Sequence, residues 1–353
     1  MPVFHPLRVC DVRRETADTV SIAFEVPEEL RPAYEFEAGQ HLTFRVPGPD
    51  GDEVRRSYSI SSGLDDGELR VAVKSLPGGV FGVYANERLQ VGEVLDVMTP
   101  AGRFTTTLDP ANEKAYLGIA AGSGITPVIS LIRSILAREP KSRFTLLYGN
   151  RGPSTVIFRE SLEDLKDRYL ERLQVVHVFS REKQQVPLLN GRIDADKLRL
   201  LAKSLLDVSA FDEVFICGPE EMTIAVRDTV VELGADAAHV HLELFGSHAP
   251  APPRPHAQTA ERRSITITVN GVTSQVQAHP DDTVLEAGEL AGLDLPYSCR
   301  GGVCATCRAK VLDGAVEMET NYALEPWETE AGFVLTCQSH PTTPSLVVDY
   351  DAV

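Results

Sequence analysis

The sequence predicts a multidomain chain: an antiparallel β-barrel, then a doubly wound α/β domain, then a small α+β domain of the β-grasp type. Three observations support this prediction. Short alternating apolar runs fill the first hundred or so residues, strand-like and helix-like segments alternate in the middle, and a proline-rich stretch precedes a final segment with four cysteines. A chain of 353 residues is long enough for two or three domains.

Residues 1–108 are predicted to form the barrel. Runs such as 41–46 and 69–74 alternate apolar and polar side chains, and Gly-Pro, Asp-Gly and Gly-Gly turns separate them. Strands with one apolar face are typical of an antiparallel barrel.

Residues 109–246 are predicted to form the doubly wound sheet. The apolar run 115–120 leads into a glycine-rich turn and then into apolar residues at helical spacing. Further strands are predicted at the following positions: 144–148, 173–179 and 213–217. Alternation of strands and helices favours a parallel sheet covered on both faces.

Residues 247–262 are predicted to be an extended linker, because they contain four prolines and no apolar period. Residues 263–353 are predicted to form the β-grasp domain. Their first strand enters an Asn270-Gly271 turn, which indicates a hairpin, and a short helix is expected at 283–291.

The charge distribution limits the possible partners. A net charge of −17 argues against nucleic acid and anionic membranes, which both require a basic surface. Residues 263–353 hold thirteen Asp and Glu but only four Lys and Arg, which serves either solubility or docking on a basic electron acceptor. We find no apolar run of membrane-spanning length and no export signal, so we expect a cytoplasmic protein without membrane contact.

Cys299, Cys304, Cys307 and Cys337 have the C-x4-C-x2-C spacing with a distant fourth cysteine. This spacing is typical of the plant-type [2Fe–2S] cluster. Zinc is the alternative, although structural zinc usually takes two C-x2-C pairs, and a disulfide framework would need an oxidising compartment.

Two glycine turns predict a nucleotide site. Residues 122–127 follow a strand and open a helix, so their amides could accept a pyrophosphate, and residues 217–219 repeat the pattern. A glycine turn of this kind also occurs without a ligand, and the second turn is what favours the nucleotide.

Residues 56–59, 122–127 and 217–219 together resemble the ferredoxin–NADP reductase family, and the C-terminal ferredoxin makes the domain order similar to that of oxygenase reductase components. Four further segments strengthen the resemblance to reductases of di-iron oxygenases: 147–151, 189–194, 301–307 and 318–322.

The resemblance implies an FAD site in which Tyr58 packs against the flavin, Ser59 bonds near N5 and Arg56 binds the pyrophosphate. A tyrosine with an ordinary packing role is the alternative for Tyr58. Gly82 stands where members of the family usually carry a serine, so only backbone contacts are implied there. The remaining residues expected to bind FAD are Val73, Lys74, Gly79, Phe81 and Gly82.

The resemblance also implies an NAD(P)H site, whose expected residues are Gly122, Gly124, Thr126, Pro127, Arg151, Ser180, Arg181, Cys217, Gly218 and Pro219. Ser180 and Arg181 resemble the pair that receives the 2′-phosphate, which favours NADPH, with NADH possible. Alternatively, Arg181 only occupies a solvated turn.

Ser59, Cys217 and Glu243 are expected to be catalytic, and Phe245 to lie beside the cofactors. For Cys217 and Phe245, simple packing is the alternative.

A hydride delivers two electrons, whereas a [2Fe–2S] cluster accepts one, so FAD is expected to convert between them. The expected partner is a separate multisubunit di-iron oxygenase. The alternatives are a Rieske-type ring or steroid hydroxylase, and a redox-sensing module without turnover.

Overall fold

A computed structural model describes residues 3–48, 53–245 and 262–352. The chain divides into a larger compact unit, Phe4–Phe245, and a smaller one, Gly246–Val353 together with Met1–Val3. The predicted linker at 247–262 lies outside the described residues, apart from Arg262.

The first sheet of the larger unit has six antiparallel strands: β1 (Phe4–Thr16), β2 (Thr19–Glu25), β3 (His41–Pro47), β4 (Glu53–Ser59), β5 (Leu69–Lys74) and β6 (Val94–Met98). Their order is β4-β3-β6-β1-β2-β5. Ile60, just after β4, pairs with Val71 of β5 and closes the sheet into a barrel. Helix α1 (Val80–Glu87) joins β5 to β6. The predicted barrel is therefore confirmed.

The second sheet of the larger unit is parallel, with strands β7 (Ala115–Ala121), β8 (Arg143–Asn150), β9 (Leu173–Phe179), β10 (Glu213–Gly218) and β11 (Val240–Leu244). The helices are α2 (Ile125–Arg138), α3 (Arg159–Arg168), α4 (Ala195–Ala202) and α5 (Glu220–Glu232). Two separate hydrophobic clusters each contain side chains from the strands and helices of this domain, as expected for a sheet with helices on both faces. The doubly wound prediction is therefore confirmed.

In the strand order β11-β10-β7-β8-β9, the chain adds β8 and β9 on one side of β7 and then β10 and β11 on the other side. The topological switch point therefore lies between β7 and β10. In sheets of this type, ligands bind in the crevice beyond the carboxyl ends of the strands at that point. Both predicted glycine turns follow these two strands.

The smaller unit contains strands β12 (Arg263–Val269), β13 (Val272–Ala278), β14 (Arg308–Asp313), β15 (Val316–Met318), β16 (Phe333–Leu335), β17 (Ser339–Pro341) and β18 (Ser345–Asp349). Its helices are α6 (Val284–Leu290) and α7 (Pro326–Glu330). The main sheet has the order β13-β12-β18-β14-β16, and β15 pairs with β17.

Local sequence explains the ends of several elements in this unit. Asn270 and Gly271 have φ angles of +52° and +71°, as a tight hairpin turn requires, so the predicted hairpin is confirmed. Thr283 caps α6 by accepting a hydrogen bond from the amide of Glu286.

Trp327, the single tryptophan of the chain, lies on α7 and is 60% exposed. Across the described ranges, no helix is long and apolar enough to cross a membrane.

Candidate active site and iron–sulfur centre

The two glycine turns form one structure at the carboxyl ends of β7 and β10. A Cβ atom on Gly124 would lie 2.1 Å from the carbonyl oxygen of Cys217, and one on Gly218 would lie 2.6 Å from Cε of Met222. Glycine at 124 therefore lets the two segments touch through their backbones. The sequence predicted these turns as separate motifs, and the fold brings them together.

Internal hydrogen bonds fix the first turn. The hydroxyl of Thr126 donates to the carbonyl of Ser123 at 3.0 Å, and the hydroxyl of Tyr148 donates to the carbonyl of Gly122 at 3.0 Å. Thr126 and Pro127 are both buried. Gly122 has a φ of +56°. The turn is thus held in shape by the protein itself, with α2 starting directly behind it.

Ser59, Cys217 and Glu243 meet where the barrel contacts the parallel sheet. The hydroxyl of Ser59 donates to Oε2 of Glu243 at 2.8 Å, and Sγ of Cys217 lies 3.9 Å from the same oxygen. Cys217 and Glu243 are direct neighbours in the pairing of β10 with β11. The three predicted catalytic residues therefore form one cluster.

Burial controls the protonation of this cluster. It raises the pKa of Glu243 to about 7, although the Ser59 hydrogen bond acts in the opposite direction. Burial, together with the nearby Glu243, raises the pKa of the Cys217 thiol well above its ordinary value. Near neutral pH, Glu243 can therefore gain or lose a proton, while Cys217 remains a thiol.

An aromatic cluster lies beside Ser59 on the barrel. The ring of Tyr58 is 5.8 Å from that of Phe44 and 5.4 Å from that of Phe81. Burial raises the pKa of Tyr58 to about 12, so its phenol stays neutral. Arg56 is exposed, and its guanidinium donates to the carbonyl of Arg55 at 2.8 Å. An apolar face with an exposed cation nearby suits a flavin and its phosphates.

Helix α1 lies against the end of β5. The side-chain amide of Asn86 donates to the carbonyls of Val73 and Gly82 at 3.0 and 2.8 Å. A Cβ atom on Gly82 would lie 2.9 Å from the carbonyl oxygen of Lys74, which gives a steric reason for glycine where the family usually has serine. Sequence reasoning missed Asn86, and the only signal was its spacing of four residues from Gly82.

A second group of predicted nucleotide residues lies at the ends of β8 and β9. The amide of Arg181 donates to the carbonyl of Arg151 at 2.9 Å, and the amide of Ser180 donates to that of Asn150 at 2.9 Å. Both arginines are exposed, and neither forms an ion pair within the part of the chain that the structure describes. Phe245 follows β11 and is 39% exposed.

The four predicted cluster cysteines form two pairs. The hydrogen bond between Cys299 and Cys304 lowers the pKa of Cys299 to about 6 and raises that of Cys304. The hydrogen bond between Cys307 and Cys337 lowers the pKa of Cys337 and raises that of Cys307. Two pairs can provide two thiolates for each of two irons, as a [2Fe–2S] cluster requires. Within the described ranges, no three His, Cys, Asp or Glu side chains are placed to hold a single metal ion.

The cysteine loop is tightly turned. Arg300, Gly302 and Ala305 have φ angles of +53°, +74° and +53°. The amide of Gly301 points to Sγ of Cys299 at 3.4 Å. Amides directed at sulfur stabilise thiolates, so the loop is suited to hold the cluster.

Three domain families match consecutive parts of the chain. Residues 6–106 match the oxidoreductase FAD-binding domain, residues 119–228 the oxidoreductase NAD-binding domain, and residues 267–342 the 2Fe-2S iron-sulfur cluster binding domain.

Relatives match the chain over nearly its whole length. The chain is 45% identical to one subunit of the 1,2-phenylacetyl-CoA epoxidase of Escherichia coli, over 100% of this chain and 99% of the relative. It is 34% identical to the ferredoxin reductase component of 3-ketosteroid-9-alpha-monooxygenase of Rhodococcus rhodochrous, over 98% and 96%. In fold, it is similar to phthalate dioxygenase reductase, with a TM-score of 0.57 and 23% identity over 98% of each chain.

Proposed function

Since the chain belongs to the family of iron–sulfur flavoprotein oxidoreductases that combine FAD-binding, NAD-binding and 2Fe-2S domains, we propose that it is the reductase component of a phenylacetyl-CoA epoxidase. Its cofactors are FAD and a [2Fe–2S] cluster, and its reductant is NAD(P)H. The carrying observation is the 45% identity over the full chain with the epoxidase subunit of Escherichia coli.

The proposed reaction moves two electrons from the nucleotide to an external oxygenase, one at a time. The nucleotide loses a hydride, and bound FAD supplies the change from two-electron to one-electron transfer. In this proposal Tyr58 packs against the flavin, and Ser59 with Glu243 holds a proton at the edge of the flavin. The glycine turns leave room for the pyrophosphate, and the paired cysteines bind the cluster.

We propose NADPH as the preferred nucleotide, because two exposed guanidinium groups, those of Arg151 and Arg181, lie on neighbouring strand ends beside Ser180. Arg181→Ala should raise the KM for NADPH about tenfold, since a charge-assisted hydrogen bond is worth about 1.5–3 kcal/mol. The KM for NADH should stay within about twofold. Lys183→Ala, at an exposed neighbour, is the control. Equal effects on both nucleotides would contradict the NADPH preference.

The partner is tested by reconstitution. The purified chain is mixed with the purified oxygenase component of phenylacetyl-CoA epoxidase, and epoxide formation coupled to NADPH oxidation is measured. The 34% identity with a ketosteroid monooxygenase reductase favours a steroid hydroxylase as the second candidate, so that oxygenase is assayed in parallel. Turnover with the hydroxylase alone would exclude the epoxidase. We place the reaction in the cytoplasm, a reducing compartment that suits cysteines not paired in disulfides.

A further inference from the structure

The loop that follows β4 of the barrel forms hydrogen bonds and ion pairs with helix α2. We call this set of contacts the α2 clamp. It consists of Ser62, Leu64, Asp65 and Asp66 in the loop and Ser130, Arg133, Ser134 and Arg138 in α2. The four helix residues lie on the side of α2 that faces the loop, at spacings close to one helical turn.

Two ion pairs form the outer part of the α2 clamp. Nη1 of Arg133 lies 2.5 Å from Oδ2 of Asp66. The guanidinium of Arg138 binds Asp65 with two nitrogens, at 3.0 and 2.8 Å, and this pairing lowers the pKa of Asp65. A forked contact of this kind fixes orientation as well as distance.

Two buried serines form the inner part. The hydroxyl of Ser130 donates to the carbonyl of Ser62 at 2.7 Å, and the hydroxyl of Ser134 accepts from the amide of Leu64 at 3.1 Å. A Cβ atom on Gly63 would lie 2.7 Å from Cβ of Arg133, so the loop and the helix touch without space to slide. Buried hydrogen bonds with little room around them make this contact rigid.

The α2 clamp connects the two halves of the proposed site by short routes along the chain. The loop starts directly after Ser59 in the proposed flavin site, and α2 starts directly after Gly124 in the proposed nucleotide turn. We propose that the α2 clamp sets how closely the nicotinamide approaches the flavin, which makes its members positioning residues. The inference rests on the proposed use of FAD and NAD(P)H and is independent of the oxygenase partner. A displacement of 1 Å can slow a reaction about 100-fold, so the effect on rate should exceed the effect on stability.

The test compares the two outer ion pairs of the α2 clamp with one control pair, whose exposure is similar to that of Arg138–Asp65. Asp65→Asn with Asp66→Asn removes the outer contacts, and Glu232→Gln removes a forked pair with Arg199 that joins α5 to α4 and does not involve the barrel. Side-chain exposures are 43% and 53% for Arg138 and Asp65, against 40% and 56% for Arg199 and Glu232. Loss of either of these forked pairs should therefore affect stability similarly, and the double variant also loses the Arg133–Asp66 pair, whose side chains are 22% and 28% exposed.

The readouts separate positioning from stability. In anaerobic stopped-flow mixing with NADPH, we expect flavin bleaching in the Asp65/Asp66 variant to slow about tenfold, with FAD content and nucleotide Kd unchanged. The long-wavelength absorbance of the flavin–nicotinamide complex should weaken. Hydrogen exchange at the amide of Leu64 should become faster, which requires no turnover. Glu232→Gln should change none of these.

Equal bleaching rates in the Asp65/Asp66 and Glu232 variants would overturn the proposal. If the double variant loses its FAD, the Ser134→Ala variant is tested in its place. This substitution removes only the hydroxyl that accepts a hydrogen bond from the amide of Leu64. We expect about threefold slower bleaching with FAD retained, and an unchanged rate would overturn the inference. A wild-type flavin that neither NADPH nor NADH bleaches would contradict the proposed function itself.

Discussion

The iron–sulfur centre and the candidate active site are built in opposite ways. Three of the four cluster cysteines lie within residues 299–307, in a loop whose left-handed residues direct an amide at sulfur. Ser59 and Glu243, by contrast, are 184 residues apart and meet only because the barrel packs against the parallel sheet. A local motif depends on its own backbone, whereas an assembled site depends on how whole domains fit together.

The largest expected effect tests the independence of the local motif. Cys304→Ser should abolish the cluster and with it the reduction of cytochrome c, because a [2Fe–2S] cluster needs all four ligands. Ferricyanide reduction and FAD content should persist, since both belong to the larger unit. Iron analysis and the two acceptor assays check this. Cys10→Ser, at an exposed cysteine, is the control. Loss of FAD together with iron would show that the two sites depend on each other.

The next effect tests the assembled site at its tightest contact. Gly124→Ala places a methyl group 2.1 Å from the carbonyl oxygen of Cys217 and should separate β7 from β10. We expect a loss of about 3 kcal/mol in the free energy of unfolding, typical of severe overpacking, and a raised KM for the nucleotide.

Gly122→Ala is the matched control in the same turn. A methyl group there has no atom within 4 Å, so only the positive φ of Gly122 is penalised, at about 1 kcal/mol. Denaturant unfolding of both variants measures the difference. Gly124 has a φ of −62°, which carries no such strain, so a loss no greater than that of Gly122→Ala would contradict the role of its close contact with Cys217.

A smaller effect concerns the aromatic face. Tyr58→Ala should weaken FAD binding about tenfold or more, because a large apolar ring is removed, and should leave the iron content intact. Tyr58→Phe keeps the ring and should retain FAD. Flavin released on dilution gives the affinity of each variant. Full FAD retention by the alanine variant would refute the packing role.

A pH dependence of stability is also expected. Because burial raises the pKa of Glu243 from 4.5 to about 7, the folded protein favours the protonated carboxyl. Stability from this group is therefore complete below about pH 4.5 and is lost as the pH rises towards about 7. As the pH rises over this range, the Tm of the wild type should fall relative to the Tm of Glu243→Gln. Glu171→Gln, at an exposed carboxylate, should track the wild type. A constant difference in Tm between wild type and Glu243→Gln would contradict the assignment.

The sequence predicted the fold well because the relevant signals are local. The alternation of apolar and polar residues in 69–74 predicted β5, and the helical spacing of apolar residues predicted α2. The Asn270-Gly271 pair predicted the hairpin. The cysteine spacing predicted the cluster ligands for the same reason. The α2 clamp left no such signal: Arg133 and Asp66 are 67 residues apart, and exposed ion pairs follow no period. The roles assigned to individual cofactor-binding residues stay predictions.

Trp327 gives the smaller unit an optical signal of its own. As the single tryptophan of the chain, it lies on α7 in the segment between Cys307 and Cys337. Its emission therefore reports on the smaller unit, while flavin absorbance reports on the larger one. The two halves of the molecule can thus be followed at two wavelengths in one unlabelled sample.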